Sequence, residues 1–215
     1  LHAPVGSEDG RLAYALAQQT DLKIYGIEPD REKVSQSREM LARAGLYGSR
    51  VTIHHADLNE IPYSNFFANL IVSDSYLRTG TLPGNAERIL RHLKPLGGVA
   101  LLGTEIPPTS GRAATAATAW LNTGGFVEPP AAELSGNLAS LTRGALPGAA
   151  DWSHQYGNAA NTAIINDTRV KGDLGVLWFG DPGPGEMTNR HEGAVGPLSV
   201  NGRLIVQGEH TILAY

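Results

Sequence analysis

The stretch that most limits what this chain can become runs from Gly6 to Asp30. It reads Gly6-Ser7-Glu8-Asp9-Gly10, then an apolar helix-forming run, then Lys23-Ile24-Tyr25-Gly26-Ile27-Glu28-Pro29-Asp30. A glycine-bearing turn opens a helix, a short β-branched strand follows, and an acid stands at that strand's end. Backbone amides at such a turn and helix start face a ligand, and a carboxylate about 20 residues on takes two vicinal hydroxyls. Gly10 and Glu28 are 18 positions apart, which fits a nucleoside ligand.

With 215 residues the chain is long enough for one large domain, or one and a half ordinary ones at about 150 residues each. Apolar content of 41% supports a packed core, and no run reaches the roughly 18 apolar residues of a membrane span. The net charge of −4 is spread along the chain with no basic stripe, which disfavours nucleic acid as a partner. The absence of cysteine excludes disulfides, thiolate metal sites and a cysteine nucleophile. Leu1-His2-Ala3-Pro4-Val5 has neither the charged start nor the apolar centre of a secretion leader.

Residues 1–5 occupy the place of a first strand but are short and proline-marked for one. Asp9 to Gln19 reads as a helix with Leu12 and Leu16 on its buried stripe. Lys23–Ile27 reads as a strand. Asp30–Ala44 is an amphipathic helix stopped by Gly45. Arg50–His54 alternates as a third strand, with Asp57 just beyond it. Asn69–Ser73 is a buried fourth strand, followed by Asp74. Asn85 caps a helix predicted to run to Lys94, and Val99–Leu102 is a fifth strand. The run Arg112–Asn122 is a further helix, and Leu138–Thr142 a late strand. Strands and helices alternating at this spacing imply an α/β, doubly wound parallel sheet.

Over roughly residues 1–145 this order resembles a class I S-adenosylmethionine-dependent methyltransferase, a Rossmann-like fold. Gly6-Ser7-Glu8-Asp9-Gly10 is similar to that family's first motif, Gly-x-Gly-x-Gly. Leu93-Lys94-Pro95-Leu96-Gly97-Gly98 is similar to its "L-K-P-G-G" turn before the fifth strand, and Gly124-Gly125-Phe126 to its "aGF" turn. The resemblance implies S-adenosylmethionine as cofactor. Gly6, Glu8 and Gly10 would border its methionine end, Glu28 would take the ribose hydroxyls, and Asp57 the adenine amino group. Ser73-Asp74-Ser75-Tyr76 falls where relatives keep substrate-facing residues, so Asp74 and Tyr76 are the catalytic candidates. The stretch lacks the Asn-Pro-Pro-Tyr signature of amino-group methylation.

Two departures stand out. Glu8 replaces the middle glycine of the motif, where a side chain crowds a bound methionine group. Ala3-Pro4-Val5 holds the place of the family's upstream acid. They leave open a second reading, a methyltransferase-shaped module that has lost its ligand. His54 and His55, at the end of a strand, read more simply as solvated or locally bonded imidazoles than as catalysts.

Arg143–Ala150 has linker composition, which puts a domain boundary near Leu146. Beyond it, residues 146–215 hold 11 of the 26 glycines and no helical stripe. Short apolar strands are predicted at Gly175–Phe179, Pro197–Val200, Arg203–Gln207 and Thr211–Tyr215, with an Asn201-Gly202 hairpin turn. This meander resembles the opening blade of a quinoprotein-type (PQQ-like) β-propeller, carried by Leu177-Trp178-Phe179-Gly180 and Gly196–Val206. Asp151-Trp152-Ser153-His154 and Asn189-Arg190-His191-Glu192 resemble junction stretches of large exported bacterial proteins that join a methyltransferase-like domain to such a propeller. The resemblance implies a fragment of a longer chain, a periplasmic or otherwise exported location, and pyrroloquinoline quinone in a complete propeller only. It also implies protein partners held through that propeller. His154 and His191 without a third ligand do not make a metal site, so none is expected. Two function classes therefore remain: a methyltransferase module, or a structural or protein-binding module with any activity, quinone-type oxidation or scaffolding, in the propeller.

Overall fold

The computed structural model describes residues 8–104, 112–126, 132–173 and 195–215, the backbone of 2–5, and the single positions 175, 188 and 193. Gly6, the strand expected over 176–179, and Arg190, His191 and Glu192 lie outside the described residues. The chain divides into two compact units, Leu1–Gly144 and Ala145–Tyr215.

The first unit is built on β1 (His2–Val5), α1 (Arg11–Gln19), β2 (Ile24–Glu28), α2 (Arg31–Arg43), β3 (Val51–His55) and β4 (Leu70–Ser73). Then come α3 (Asp74–Thr79), α4 (Ala86–Leu90), β5 (Val99–Gly103), α5 (Arg112–Asn122), β6 (Glu133–Ser135) and β7 (Leu138–Thr142). The sheet order is β3-β2-β1-β4-β5-β7-β6. Strands β1 to β5 are parallel, and β7 runs antiparallel to both β5 and β6.

Contrary to the expectation of a degenerate first strand, β1 forms at the centre of the sheet. It pairs with β2 through His2 and Val5 and with β4 from His2 to Val5. Flanking ladders on both sides make up for the N–H that Pro4 lacks. The helix expected to reach Lys94 ends at Leu90. The chain beyond it runs beside the approach to β4, where the Ala68 amide donates to the His92 carbonyl and the Lys94 amide to the Ala68 carbonyl.

Alternation sorts the strands' side chains to two faces. On one, Ile24, Val51 and Ile53 pack with Ala13 and Ala17 of α1 and Val34 and Leu41 of α2. On the other, Ile27, Ile71, Ala100 and Leu102 pack with Tyr76, Ile89, Leu90, Ala117 and Leu121. An aromatic group of Tyr25, His54, Tyr63, Phe67 and His92 extends that second layer. Asp30 caps α2 by accepting the Glu32 and Lys33 amides, and Gly45 follows the C-cap residue Ala44 at φ 71°.

In the second unit β8 (Leu198–Val200), β9 (Arg203–Gln207) and β10 (Ile212–Ala214) form an antiparallel three-stranded sheet. Asn201 and Gly202 join β8 to β9 with φ of 49° and 71°, the double positive φ of a type I′ turn. Trp152 bridges to Ser199 on the free edge of β8, with amide–carbonyl bonds of 2.7 and 2.9 Å. Asp167 gathers the amides of Ala150, Arg169 and Val170, and these bonds hold its carboxyl below the usual range. His154 is exposed with Nδ1 2.9 Å from the Ser153 hydroxyl. Among the described residues no group of three or more His, Asp or Glu could hold a metal, and no helix is long and apolar enough to cross a membrane.

Candidate functional site

Parallel strands bring their C-terminal ends to one edge of the sheet, and the loops leaving that edge form the site in open α/β folds. Glu28 is the last residue of β2, and Asp57 lies two residues beyond the end of β3, its parallel neighbour. Ser73 closes β4 in register with Val5 of β1, so Asp74 stands beside the start of the loop that contains Glu8 and Gly10.

Glu28 is only 3% exposed. Its Oε2 accepts the Glu8 amide at 2.9 Å and its Oε1 the Asp30 amide at 3.0 Å. Burial raises its pKa, while those two amides and Lys33 act in the opposite direction. A carboxylate has about four acceptor positions, so two remain for a ligand diol. This is a pre-positioned acceptor at the tip of β2.

Glu8 takes the left-handed backbone at φ 45°, a conformation that glycine adopts freely and other residues rarely. Three ties hold it there. Its amide donates to Glu28, its carbonyl accepts the Ser37 hydroxyl at 3.0 Å, and its carboxylate meets Lys33 Nζ at 2.5 Å. Gly10, at φ 80°, is the N-cap of α1, and a Cβ there would lie 3.1 Å from that of Ser37. The glycine is thus required by the close approach of α2 as well as by its φ. Asp9 pairs with Arg11 and with Arg78 of α3, each at 3.0 Å.

Asp57 is exposed, and its Oδ1 accepts the Asn59 amide at 2.7 Å, which closes the turn after β3. Neighbouring His55 is exposed, with Nε2 3.0 Å from the Pro29 carbonyl oxygen. His54 packs its ring edge-on to Tyr63, and burial with the nearby Arg38 lowers its pKa. A separate cavity of about 330 Å³ is lined by Asn59, Glu60, Asn85 and Arg88.

The two catalytic candidates part company. Tyr76 is fully buried in the core, with its hydroxyl engaged by the Ala117 backbone, so the expectation of a substrate-facing tyrosine is corrected. It lies on α3, capped by Ser73, and the helix turns the ring inward. Asp74 is 2% exposed and belongs to the loop cluster: it receives the Leu12 amide, and its Oδ2 has no partner among the described residues. Burial pushes its pKa up to about 6, with Arg78 opposing and Asp9 and Glu8 reinforcing. Lys33, Ser37 and Arg78, which fix the loop, had no local signal in the sequence. They come from two helices whose facing sides are set only by packing.

The residues suit the adenosine half of S-adenosylmethionine better than the other half. A buried carboxylate with free acceptor positions matches a ribose diol. At the methionine end Glu8 replaces an open glycine, with its charge drawn to Lys33.

Residues 4–97 match the profile of a methyltransferase domain family. A solved protein of Methanococcus maripaludis, described as a candidate S-adenosyl-L-methionine-dependent methyltransferase, superposes with a TM-score of 0.54 at 21% identity. That likeness covers 67% of this chain and 77% of the other. A candidate sarcosine dimethylglycine methyltransferase of Galdieria sulphuraria aligns at TM-score 0.41 and 23% identity, over 46% of this chain and 37% of its own. No match was found among curated proteins. The strand order and the structural likeness show a methyltransferase-type α/β fold in the first unit, and within it residues 4–97 are similar to a methyltransferase domain family.

Proposed function

We propose that the first unit binds S-adenosylmethionine and acts as a methyltransferase module. The observation that carries this reading is the nearly inaccessible Glu28 carboxylate, held at the tip of β2 by the Glu8 and Asp30 amides with acceptor positions to spare. Gly10 and the Glu8 backbone would border the methionine end, together with Gly6. Glu28 would take the ribose hydroxyls and Asp57 the adenine amino group. When bound, the cofactor supplies an electrophilic methyl group. Transfer then needs chiefly in-line placement of a nucleophile, so a dedicated base is not required.

Calorimetric titration with S-adenosylmethionine and S-adenosylhomocysteine tests the reading. Saturable heat that disappears in Glu28→Ala supports it. No heat at about 1 mM ligand ends it.

The second reading, a structural or protein-binding module, rests on Glu8. Its strained backbone and its ion pair with Lys33 place a side chain where the motif ordinarily leaves space. The second unit we read as the opening blade of a PQQ-like propeller, and three antiparallel strands with a type I′ turn are compatible with that. On this reading the chain belongs to an exported protein. Any quinone chemistry or partner binding would sit in the complete propeller.

A further inference from the structure

We propose that the ion pair between Glu8 and Lys33 is a latch closed over the Glu28 carboxylate, which must part before a ribose diol reaches that carboxylate. This rests on the reading that an adenosyl ligand binds the first unit.

A conflict between capacity and access carries the proposal. Glu28 gives one acceptor position of each oxygen to an amide, that of Glu8 at 2.9 Å and that of Asp30 at 3.0 Å, so it can accept more. Yet the residue is only 3% exposed, and a diol cannot reach it while its neighbours stay where they are. Glu8 and Lys33 are the neighbours that lie nearer to solvent. Their side chains are 20% and 40% exposed, and Lys33 Nζ meets Glu8 Oε2 at 2.5 Å. Burial raises the Glu28 pKa most, while Lys33 pulls it down and Glu8 pushes it up, so both stand within reach of its charge.

The backbone on each side of the latch is fixed. Glu8 is held at φ 45° by its amide bond to Glu28 and by the Ser37 hydroxyl on its carbonyl. The Lys33 amide donates to Asp30, the N-cap of α2. Opening therefore needs only the two side chains to swing apart. A partly exposed ion pair contributes little and is screened by salt, so opening costs little and salt favours it. A glycine at position 8 would have no side chain to close, so the latch belongs to this chain's Glu8.

The test titrates 5′-methylthioadenosine, an adenosyl ligand with no net charge at neutral pH, into the full chain by calorimetry at low and high salt. The ligand has no charge to screen, so a salt effect that depends on Lys33 reports the latch. Raising sodium chloride from about 20 mM to about 0.5 M should tighten binding to the unaltered protein by about twofold to fivefold. Lys33→Met removes the pair. It should bind about twofold to fivefold more tightly at low salt and lose most of the salt response. Lys33→Arg keeps the charge and should keep the salt response. If Lys33→Met binds no more tightly than the unaltered chain, or if both respond alike to salt, the latch is overturned and the adenosine site stands. If neither chain binds the nucleoside at any salt, the proposal falls together with the reading beneath it.

Discussion

Glu8 and Glu28, twenty residues apart, meet where the Glu8 amide donates to the Glu28 carboxylate at 2.9 Å. That bond joins the loop after β1 to the tip of β2, so the residue expected to hold a ribose also fixes the loop expected to hold the rest of the ligand. Lys33 completes the arrangement by taking the Glu8 carboxylate, and its charge also favours the ionised form of Glu28. A mutation at position 8 therefore acts on backbone strain, on an ion pair and on ligand space at once.

Glu8→Gly separates these effects. Glycine relieves the positive φ, a gain of about 1 kcal/mol. It also removes a partly exposed ion pair worth about 0–1 kcal/mol. Stability should change by less than about 1 kcal/mol in urea denaturation. Affinity for S-adenosylhomocysteine should rise several-fold, because the amide to Glu28 remains and the side chain is gone. A drop in affinity would mean that the Glu8 carboxylate itself contacts the ligand.

Asp74 gives a pH signature. Its pKa is about 6 in the fold against 3.8 for the free side chain. The folded state therefore binds the proton more tightly than the unfolded chain, and its contribution is fully present below pH 3.8 and lost as pH rises through 6. Asp74→Asn should stabilise the chain by about 1–2 kcal/mol at pH 7 to 8, with the difference vanishing toward pH 4. Thermal melts across that range measure it. A constant difference at all pH values would point to packing rather than charge.

The features legible in the sequence were those written in local spacing. Glu28 could be placed because a turn, a helix and a strand have nearly fixed lengths, and Asn201-Gly202 because only a type I′ turn suits that pair. Gly98 belongs with them: a Cβ there would fall 2.3 Å from the Lys94 carbonyl oxygen, so the turn before β5 demands glycine. What could not be read depends on the facing of packed helices. Ser37, Lys33 and Arg78 converge on the loop from α2 and α3, and no periodicity encodes that. Tyr76 was misplaced because the segment after β4 turns helical at once, and rotates the ring into the core. Strand β1 was undervalued because its stability comes from two neighbours rather than from its own residues.

His92 should make stability fall on the acid side. It is 1% exposed, and its ring lies between the Ser64 carbonyl, 2.9 Å from Nδ1, and Arg91, whose Nε donates to Nε2. These contacts fix the neutral ring, and burial first, then Arg91, lowers its pKa, against the pull of the Ser64 carbonyl. A histidine with a lowered folded pKa is stabilising above its unfolded value of about 6.5, and that contribution is lost as pH falls from there through the folded value. NMR should show the His92 ring keeping its neutral form to a lower pH than a free imidazole does. A His92 ring that titrates as a free imidazole would remove this source of acid sensitivity.

Arg143 closes the first unit, and its loss should be among the costlier changes in the chain. Its Nη1 donates to the Leu93 carbonyl at 2.6 Å, with the Arg91 and Leu90 carbonyls at 3.3 and 3.4 Å. These belong to the end of α4 and the residues just after it, where carbonyls lack helical partners. The guanidinium also lies 4.8 Å from the Phe66 ring centroid and 4.7 Å from that of Phe126. A cation stacked on two aromatic rings and bonded to carbonyls combines two stabilising effects of about 1 kcal/mol or more each. Arg143→Ala should therefore cost about 2–4 kcal/mol in urea denaturation. Arg143→Lys should recover only a minor part, because an ammonium offers neither the planar stack nor the fork. Full recovery by lysine would show that charge alone, and not the shape of the guanidinium, secures this end of α4.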